Sequence, residues 1–196
     1  MKFNLSEISS LIRERRTIKP ESFSSRKVHR EIVEKLLDVA RWAPTHGMTQ
    51  PWRFIVFEGD GVKRLSGFQA QTYERLNEGS RFVKAKWEQL RDRPLRATVV
   101  IAICMQRQPE EKIPEIEEVE AVACAVQNIM LMATAYGIGS YWSSGGLTYT
   151  EEMKAFLELG ERDRCLGFLY LGYPNEAWPE SQRRPVDTFT KWISEG

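Results

Sequence analysis

The chain has 196 residues, of which 42% are hydrophobic and 28% charged, and this suits one globular domain or two small ones. Its formal net charge of +1 gives no reason to expect a general nucleic-acid or membrane-surface binder. Three scattered cysteines, two histidines and short apolar runs exclude a CxxC pair, a His-rich metal site and a membrane-spanning helix. Because the start "MKFNLSEISS" also lacks a signal peptide's apolar stretch, we expect a cytoplasmic protein without a structural metal.

The first third of the chain predicts two helices and a strand. Asn4 and Glu7 have the spacing of a capping box, and Ile8, Leu11 and Ile12 form the apolar stripe of a helix that ends near "RRTIKP". The amphipathic segment "HREIVEKLLDVARWA" predicts a second helix, which a proline stops, and "WRFIVFEG" predicts the first strand.

The middle of the chain alternates helices with a strand. An amphipathic helix is expected from the turn at Asp60-Gly61 to about Leu76, followed by a short helix around Phe82 to Leu90 and the strand "ATVVIAICM". The long pattern "EIEEVEAVACAVQNIMLMATAYG", with Gly137 as its C-terminal cap, is apolar nearly all round. It predicts either a buried central helix or a subunit interface.

The last third predicts two more strands, "GSYWSSGG" and "RCLGFLYLGYP", with a short helix near Thr150 to Leu159 between them. The tail "NEAWPESQRRPVDTFTKWI" has little periodicity and several aromatic residues, which is typical of a segment held against another surface, such as a second subunit. About four strands separated by helices indicate a single α+β or α/β domain over residues 1–196.

The first candidate site is "RERRTIKP", which contains Arg13, Arg15, Arg16, Thr17 and Lys19. Arginine presents a planar fork of donors that suits phosphate oxygens, and threonine adds a hydroxyl group. The same residues also suit a purely structural role, because cations at a helix C-terminus interact with its last carbonyls and its dipole. Spacing alone favours the structural interpretation.

Two further candidates lie in the C-terminal half. Arg183 and Arg184 of "SQRRPVD" would form a phosphate clamp if they met the first arginine set, or would otherwise be a solvated basic turn. The segment "GIGSYWSSGG" lacks the third glycine of the dinucleotide-binding pattern, since Trp142 stands there. Its end, Ser143–Gly146, either brings backbone N–H groups close to a ligand or is a simple glycine bend.

The loop between the second helix and the first strand, "RWAPTHGMTQPWRF", has an unusual composition. It is stiff and amphipathic, which is typical of a surface that packs against something flat. Neither His29 nor His46 stands in a Ser/His/Asp context, and the sequence contains no Gly-x-Ser-x-Gly elbow. We therefore expect no catalytic nucleophile.

Several of these segments together resemble one family. "RRTIK", "APTHGMTQPWRFIVFEG", "QNIMLMATAYGIGSYW" and "RRP" occur in the order found in the FMN-dependent nitroreductase family. The segments "HGMTQPW", "YWSSGGLT" and "GFLYLGYP" are most similar to its compact bacterial, YdjA-like branch. The resemblance implies an α+β fold with a mixed or antiparallel central sheet flanked by helices. It also implies a homodimer with two FMN molecules at its interface and a C-terminal tail that reaches the partner subunit.

The resemblance also implies which residues bind FMN. The N-terminal set would hold the phosphate and ribityl chain and, through its lysine, reach the pyrimidine edge of the ring, with an arginine of the tail completing the phosphate site. The end of the third strand would line the ring and offer backbone donors, and the stiff loop would come from the partner subunit and wall the ring. The N-terminal set is Arg15, Arg16, Thr17 and Lys19, and the tail contributes Arg183 with Arg184 as a helper. The end of the third strand contributes Trp142, Ser143, Ser144 and Gly145. The stiff loop contributes Pro44, Thr45, His46 and Gln50.

Two positions depart from the family pattern. Many relatives carry Asn in the loop where this chain has Met48, and the compact branch often has Arg where this chain has Ser143. The first change removes a polar contact, and the second removes a charge near the ring. Both bear on substrate range and redox potential.

The activity implied by the resemblance is a ping-pong hydride transfer. NAD(P)H would reduce FMN, and a nitroaromatic, quinone or related small-molecule acceptor would then reoxidise it, without a protein nucleophile, a metal, a nucleic acid or a membrane. Two alternatives remain: a protein that senses or stores FMN without turnover, and another flavin reaction on the same scaffold. An anion-binding or RNA-binding module is disfavoured by the near-zero net charge.

Overall fold

The computed structural model describes residues 2–194, and in them six α-helices surround one four-stranded antiparallel sheet. This confirms the expected α+β class with an antiparallel sheet. The helices are α1 (Leu5–Glu14), α2 (Arg30–Ala40), α3 (Asp60–Leu76), α4 (Lys84–Leu95), α5 (Glu115–Ala135) and α6 (Glu151–Phe156). The strands are β1 (Trp52–Glu58), β2 (Val99–Met105), β3 (Gly139–Ser143) and β4 (Arg164–Gly172). No described helix is long and apolar enough to cross a membrane.

The sheet has the order β1-β2-β4-β3, so β2 and β4 are central and β3 lies at an edge. Every residue of β2 is buried, which explains why its sequence is apolar without alternation. The pairs Trp52–Met105 and Val99–Leu171 mark the registers of β2 with its two neighbours. Since β3 has a neighbour on one side only, its outer edge is the place where another segment can pair.

Helices cover both faces of the sheet because successive residues of a strand point to opposite sides. On one face, Ile101 and Ile103 pack with residues of α2 and α5, including Leu36 and Ile129. On the other face, the intervening residues of β2 pack with α3 and α6 through side chains such as Leu65, Met153 and Phe156. Two apolar clusters therefore share one sheet.

Two of the predicted helix ends are confirmed in detail. The Asn4 side chain accepts hydrogen bonds from the backbone N–H groups of Ser6 and Glu7, as expected of an N-cap. At the other end of the long helix α5, Gly137 has φ +67°, and Ile138 N–H donates to the Ala133 carbonyl at 2.8 Å. This is the Schellman arrangement, in which a glycine ends the helix.

Helix α4 differs from its expected bounds, and the structure adds detail on α1 and α5. Helix α4 continues to Leu95, beyond the predicted end at Leu90, because Pro94 lies in its last turn, where a missing N–H removes only one helical hydrogen bond. The apolar stripe of α1 is present but uncovered, since Ile8 is 42% exposed and Ile12 53% exposed. Helix α5 buries one face on the sheet, so it is central rather than buried all round.

Candidate functional site

The N-terminal arginine segment is attached to the free edge of the sheet. Thr17 forms an isolated parallel bridge with Ser140 of β3, and Ile18 N–H donates to the Ser140 carbonyl at 3.0 Å. Gly139 permits this close approach, because a Cβ there would lie 2.8 Å from the Cβ of Ile18. The bridge places the C-terminal end of α1 beside β3, the strand that precedes Ser143–Gly145.

Arginines from both ends of the chain lie near one another at this edge. Burial lowers the pKa of the Arg15 guanidinium, and the nearby positive charges of Arg183 and Arg16 lower it further. Like charges repel, so this concentration of positive charge favours an anion between them. The structure thus brings Arg183, from the C-terminal tail, near Arg15 and Arg16 of the N-terminal segment. Arg184 is exposed in the same tail.

Arg16 has a second role, which is to hold the tail. Its Nε donates to the Pro179 carbonyl at 2.8 Å, and its guanidinium also contacts the carbonyls of Arg13 and Arg15. The indole N–H of Trp178 donates to the Glu14 carbonyl nearby. The end of α1 is therefore capped by a cation, as the structural interpretation expects, and the tail that carries Arg183 is fixed to it.

Thr17 and Lys19 line a shallow pocket of about 230 Å³ between the N-terminal segment and the start of the tail. Its other walls come from Ile18, Ser22, Pro174, Glu176, Ala177 and Pro179. Thr17 and Lys19 are exposed, so their polar groups are accessible to a ligand. This pocket extends the arginine cluster along the edge of the sheet.

The end of β3 lines a second, smaller cavity of about 40 Å³. Ser143, Ser144 and Gly145 form one wall, and the α3–α4 helix pair forms the other. Gly145 and Gly146 have φ values of +89° and +56°, a conformation that glycine adopts without strain. The remaining lining residues are Gln69, Lys86, Gln89, Leu90, Arg93, Leu147, Thr148, Phe168 and Tyr170.

Of the polar residues on the helix side of this cavity, Gln69 is buried and Lys86, Gln89 and Arg93 are half-buried. Gln69 is 4% exposed, and its Oε1 has no hydrogen-bond partner among the described residues. Arg93 pairs with Glu21 at 3.1 Å and lies 5.4 Å from the ring of Tyr141. Burial raises the pKa of the Tyr170 hydroxyl, so this group is neutral near pH 7. The cavity therefore combines an unsatisfied acceptor with positive charge.

Trp142 points to the opposite side of the sheet from this cavity. It lines a groove of about 370 Å³ with Val119, Ala123, Ser144, Tyr149 and Leu166. Its indole N–H donates to the Leu166 carbonyl at 3.1 Å, and this bond fixes the ring on β4. Ser144 lines both spaces, so the end of β3 separates a polar cavity from a more apolar groove.

The stiff loop is ordered by a hydrogen bond within it and by a contact with α5. Thr45 Oγ1 accepts from Gln50 N–H at 3.1 Å, and His46 Nδ1 lies 2.5 Å from a carboxylate oxygen of Glu117. Gly47, Thr49 and Gln50 border a separate pocket of about 360 Å³, and no described pocket joins them to Ser143–Gly145. Pro44 is exposed. Within one chain, then, the loop and the end of β3 lie apart.

Sequence reasoning missed the residues contributed by α3 and α4. Lys86, Gln89 and Arg93 have helical i, i+3, i+7 spacing and so share one face of α4. Gln69 occupies a position in α3 between Leu65 and Tyr73 where the apolar period expects a hydrophobic residue. A glutamine at such a position is a visible signal. Among the described residues, no group of three His, Cys, Asp or Glu side chains is arranged to hold a metal.

Comparisons with known proteins agree on one family. The model of the nitroreductase family matches residues 12–173. The Escherichia coli K12 protein that carries the name NAD(P)H nitroreductase YdjA is 31% identical over 144 residues, which is 74% of this chain and 76% of that protein. A nitroreductase-like protein from Bacillus cereus superposes with a TM-score of 0.83 at 28% identity, over 100% of both chains. The FMN-dependent nitroreductase NfnB of Mycobacterium smegmatis, solved with NADPH, has a TM-score of 0.76 at 19% identity, over 97% and 100% of the chains.

Proposed function

The chain belongs to the nitroreductase family, and from this premise we propose that it is an FMN-dependent oxidoreductase that uses NAD(P)H. Its acceptors would be nitroaromatics, quinones or related small molecules. The proposal is supported by the names of its relatives and by one observation in this chain. That observation is the position of Arg183 near Arg15 and Arg16 beside β3, close enough for its charge to help lower the pKa of Arg15.

The arginine cluster fits a phosphate group. Arg15 is partly buried and repelled by two neighbouring guanidinium groups, so a bound dianion would relieve this repulsion. Thr17 and Lys19 continue the polar surface along the edge of the sheet and suit the hydroxyl-bearing ribityl chain. The residues present therefore match the charge and polarity of the phosphate end of FMN.

The end of β3 fits the ring end. Ser143, Ser144 and Gly145 follow closely after Ser140, the bridge partner of Thr17, and backbone N–H groups beside the positive-φ glycines would suit a ligand. When bound, FMN would supply hydride transfer from NAD(P)H and onward reduction of the acceptor in a ping-pong cycle. The protein would hold the ring, exclude water from one of its faces and leave the other face to the two substrates in turn.

The proposal includes a homodimer. Its support is the apolar surface that the described chain leaves uncovered on α1 and in the tail, where Phe3 is 63%, Ile12 53%, Phe189 65% and Trp192 86% exposed. Surface of this kind marks an interaction site. The loop with Pro44, Thr45, His46 and Gln50 lies away from the end of β3 in its own chain, so a partner subunit would have to bring it to the ring.

We further propose that residues 1–196 form one domain and that the protein is cytoplasmic. The single domain is supported by the two apolar clusters, which pack on opposite faces of the same sheet. The cytoplasmic location is in keeping with Cys104, Cys124 and Cys165, which form no disulfide bond.

The experiment is a visible spectrum of the purified protein under anaerobic conditions, before and after NADH or NADPH is added. We expect flavin absorbance that either nucleotide bleaches and that an added nitroaromatic or quinone restores. A yellow protein that neither nucleotide bleaches would favour storage or sensing of FMN, or another flavin reaction. A colourless protein that takes up no added FMN would overturn the proposal.

A further inference from the structure

Two of the three cysteines face each other inside the sheet. Cys104 of β2 and Cys165 of β4 are direct partners in the antiparallel register, and only 0% and 4% of their surfaces are exposed. Both belong to the apolar cluster on the face of the sheet that α3 and α6 cover. The two thiols are free, and the proposed oxidoreductase activity uses neither of them.

A β-bulge brings the two side chains onto the same face. The register pairs Ile103 with Gly167. The next residue of β2, Cys104, pairs with Cys165, which leaves Leu166 as the extra residue of β4. Leu166 packs with the apolar cluster on the opposite face of the sheet. Because side chains alternate along a strand, a register without the bulge would place Leu166, and not Cys165, opposite Cys104.

The spacing of such a pair suits a disulfide bond. Directly opposite residues of an antiparallel pair have Cα atoms about 4.5–5.5 Å apart. This lies within the range of roughly 4.4–6.8 Å that a disulfide bond spans. The thiols of Cys104 and Cys165 are already in hydrogen-bond contact, so an S–S bond can form without a change of register.

The hydrogen bond between the thiols gives them different reactivity. It raises the pKa of Cys104, and burial raises this pKa further. The same hydrogen bond lowers the pKa of Cys165, against the effect of burial. Because the thiolate is the nucleophile, Cys165 is the thiol that attacks an oxidant, and Cys104 is the thiol that then closes the bond.

We propose that Cys104 and Cys165 form a paired redox site, which closes to a disulfide when a water-sized hydroperoxide, such as hydrogen peroxide, reaches it. The Cys165 sulfur attacks one peroxide oxygen, the O–O bond breaks, and a sulfenic acid and one water form. The Cys104 sulfur then displaces the sulfenic oxygen as a second water. Two thiols thus lose two electrons and two protons, and the peroxide gains them. The burial of Cys165 favours so small an oxidant over a bulky disulfide.

The test uses the purified protein as isolated, in a Cys124→Ser background, because Cys124 is exposed and would react independently. After treatment with hydrogen peroxide, free thiols are counted in denaturant and the intact mass is measured. We expect both remaining thiols to be lost together with about 2 Da of mass, and dithiothreitol in denaturant to restore them. Peptide mapping without reductant should find Cys104 and Cys165 in one cross-linked peptide.

Two further variants in this background test the roles of the two thiols. Cys104→Ser keeps a hydrogen-bond donor for Cys165 but removes the thiol that closes the bond. Cys165 should then gain about 16 or 32 Da, as a sulfenic or sulfinic acid. Cys165→Ser is the matched control, in which Cys104 should stay reduced at the same dose because burial keeps its thiol protonated.

Three results would overturn the proposal. If both thiols stayed free after peroxide treatment, the sheet would exclude the oxidant. A gain of mass in place of a loss would mean that the two cysteines oxidise independently. Equal oxidation of Cys104→Ser and Cys165→Ser would remove the basis for Cys165 as the attacking thiol. None of these measurements involves FMN or NAD(P)H, so they are independent of the proposed function.

Discussion

Arg15 and Arg183 come from opposite ends of the chain, yet they lie close enough for Arg183 to help lower the pKa of Arg15, next to the effect of burial. Such repulsion destabilises the free protein slightly and favours a bound anion. Arg15→Ala should therefore weaken FMN binding by ~1.5–3 kcal/mol, which corresponds to roughly ten- to a hundredfold in Kd. Titration of apo-protein with FMN measures the effect.

Riboflavin and a neighbouring arginine supply the controls for this prediction. Riboflavin lacks the phosphate, so its affinity should change little in Arg15→Ala. Arg13→Ala removes a positive charge from the same turn of α1, where its side chain is exposed, and should weaken FMN binding much less. If Arg15→Ala lost FMN and riboflavin affinity equally, the phosphate would have to be held elsewhere.

A buried ion pair anchors the segment between β2 and α5. Arg107 contacts Glu118 at 2.5 Å, with 8% and 1% of the two side chains exposed, and also donates to the Ile113 carbonyl at 2.7 Å. Glu118→Ala leaves a buried guanidinium without its counter-charge, so we expect a loss of ~3–5 kcal/mol in the free energy of unfolding. Urea denaturation measures it.

The adjacent residue of α5 provides the comparison. Glu117 pairs with His46 on the surface, so Glu117→Ala should lower the free energy of unfolding by at most ~1 kcal/mol. A Glu118→Ala variant as stable as Glu117→Ala would show that the buried pair is offset by its own desolvation.

Local sequence patterns predicted most of the fold. Capping at Asn4, the glycine end of α5 and the all-apolar β2 each follow from physical rules that act within a few residues. The site is different, because it depends on long-range packing. The bridge between Thr17 and Ser140 brings Arg15 and Arg16 to β3, and no local rule encodes that pairing.

The dependence of the site on long-range packing also explains why sequence reasoning missed Gln69. Gln69 was visible as a polar residue on an apolar face, but only the packing of α3 beside β4 and the end of β3 shows that its Oε1 is buried and unsatisfied. The exposed stripe of α1 is a similar case. Its amphipathic pattern predicts a helix correctly, yet the pattern does not tell whether the same chain or another one covers Ile8 and Ile12.

Met48 adopts a left-handed backbone conformation with φ +53°, which costs a residue with a Cβ about 1–2 kcal/mol. Asparagine tolerates this region better, because its short polar side chain bonds to the local backbone. Met48→Asn should therefore raise the free energy of unfolding by ~0.5–1 kcal/mol. Met48→Leu keeps the backbone strain, so it should not raise the free energy of unfolding. Equal stabilisation by Met48→Asn and Met48→Leu would show that removal of the exposed methionine, and not relief of strain, causes the effect.

The pair of Glu21 and Arg93 should make stability depend on pH. Burial raises the pKa of Glu21, but its backbone hydrogen bond and Arg93 together lower it more, so the pKa falls below 4.5. A carboxylate whose pKa is depressed in the folded state stabilises it above the unfolded pKa, and this contribution disappears as the pH falls through the folded value. Glu21→Gln should thus be less stable than wild type at pH 7, by less than ~1 kcal/mol for this half-exposed pair.

The pH window of this effect is checked by urea denaturation at pH 7 and at pH 3.5. The difference between wild type and Glu21→Gln should be complete at pH 7 and should shrink below about pH 4.5. Glu180→Gln, which changes an exposed residue of the tail, should show no comparable trend. A difference that stayed constant with pH would assign the effect of Glu21→Gln to packing and not to charge.

Gly167 holds the end of β3 against β4, and its replacement should damage both stability and cofactor binding. Its φ is +131°, and a Cβ there would lie 2.5 Å from the Ser143 carbonyl oxygen and 2.7 Å from Trp142 Nε1. Gly167→Ala must push these atoms away, at a cost of about 1–3 kcal/mol for the overlap in addition to the backbone strain. Because Trp142 and Ser143 move with it, FMN affinity should fall and tryptophan fluorescence should shift.

A substitution at Gly137 distinguishes the effect of backbone strain from the effect of steric overlap. Gly137 also has a positive φ, of +67°, but no atom lies within 4 Å of the position of a Cβ. Gly137→Ala should therefore lose only the backbone contribution, about 1 kcal/mol, and should bind FMN as wild type does. If Gly167→Ala were destabilised no more than Gly137→Ala and bound FMN equally well, the close contact between β4 and the end of β3 would not be what positions Ser143 beside the ring.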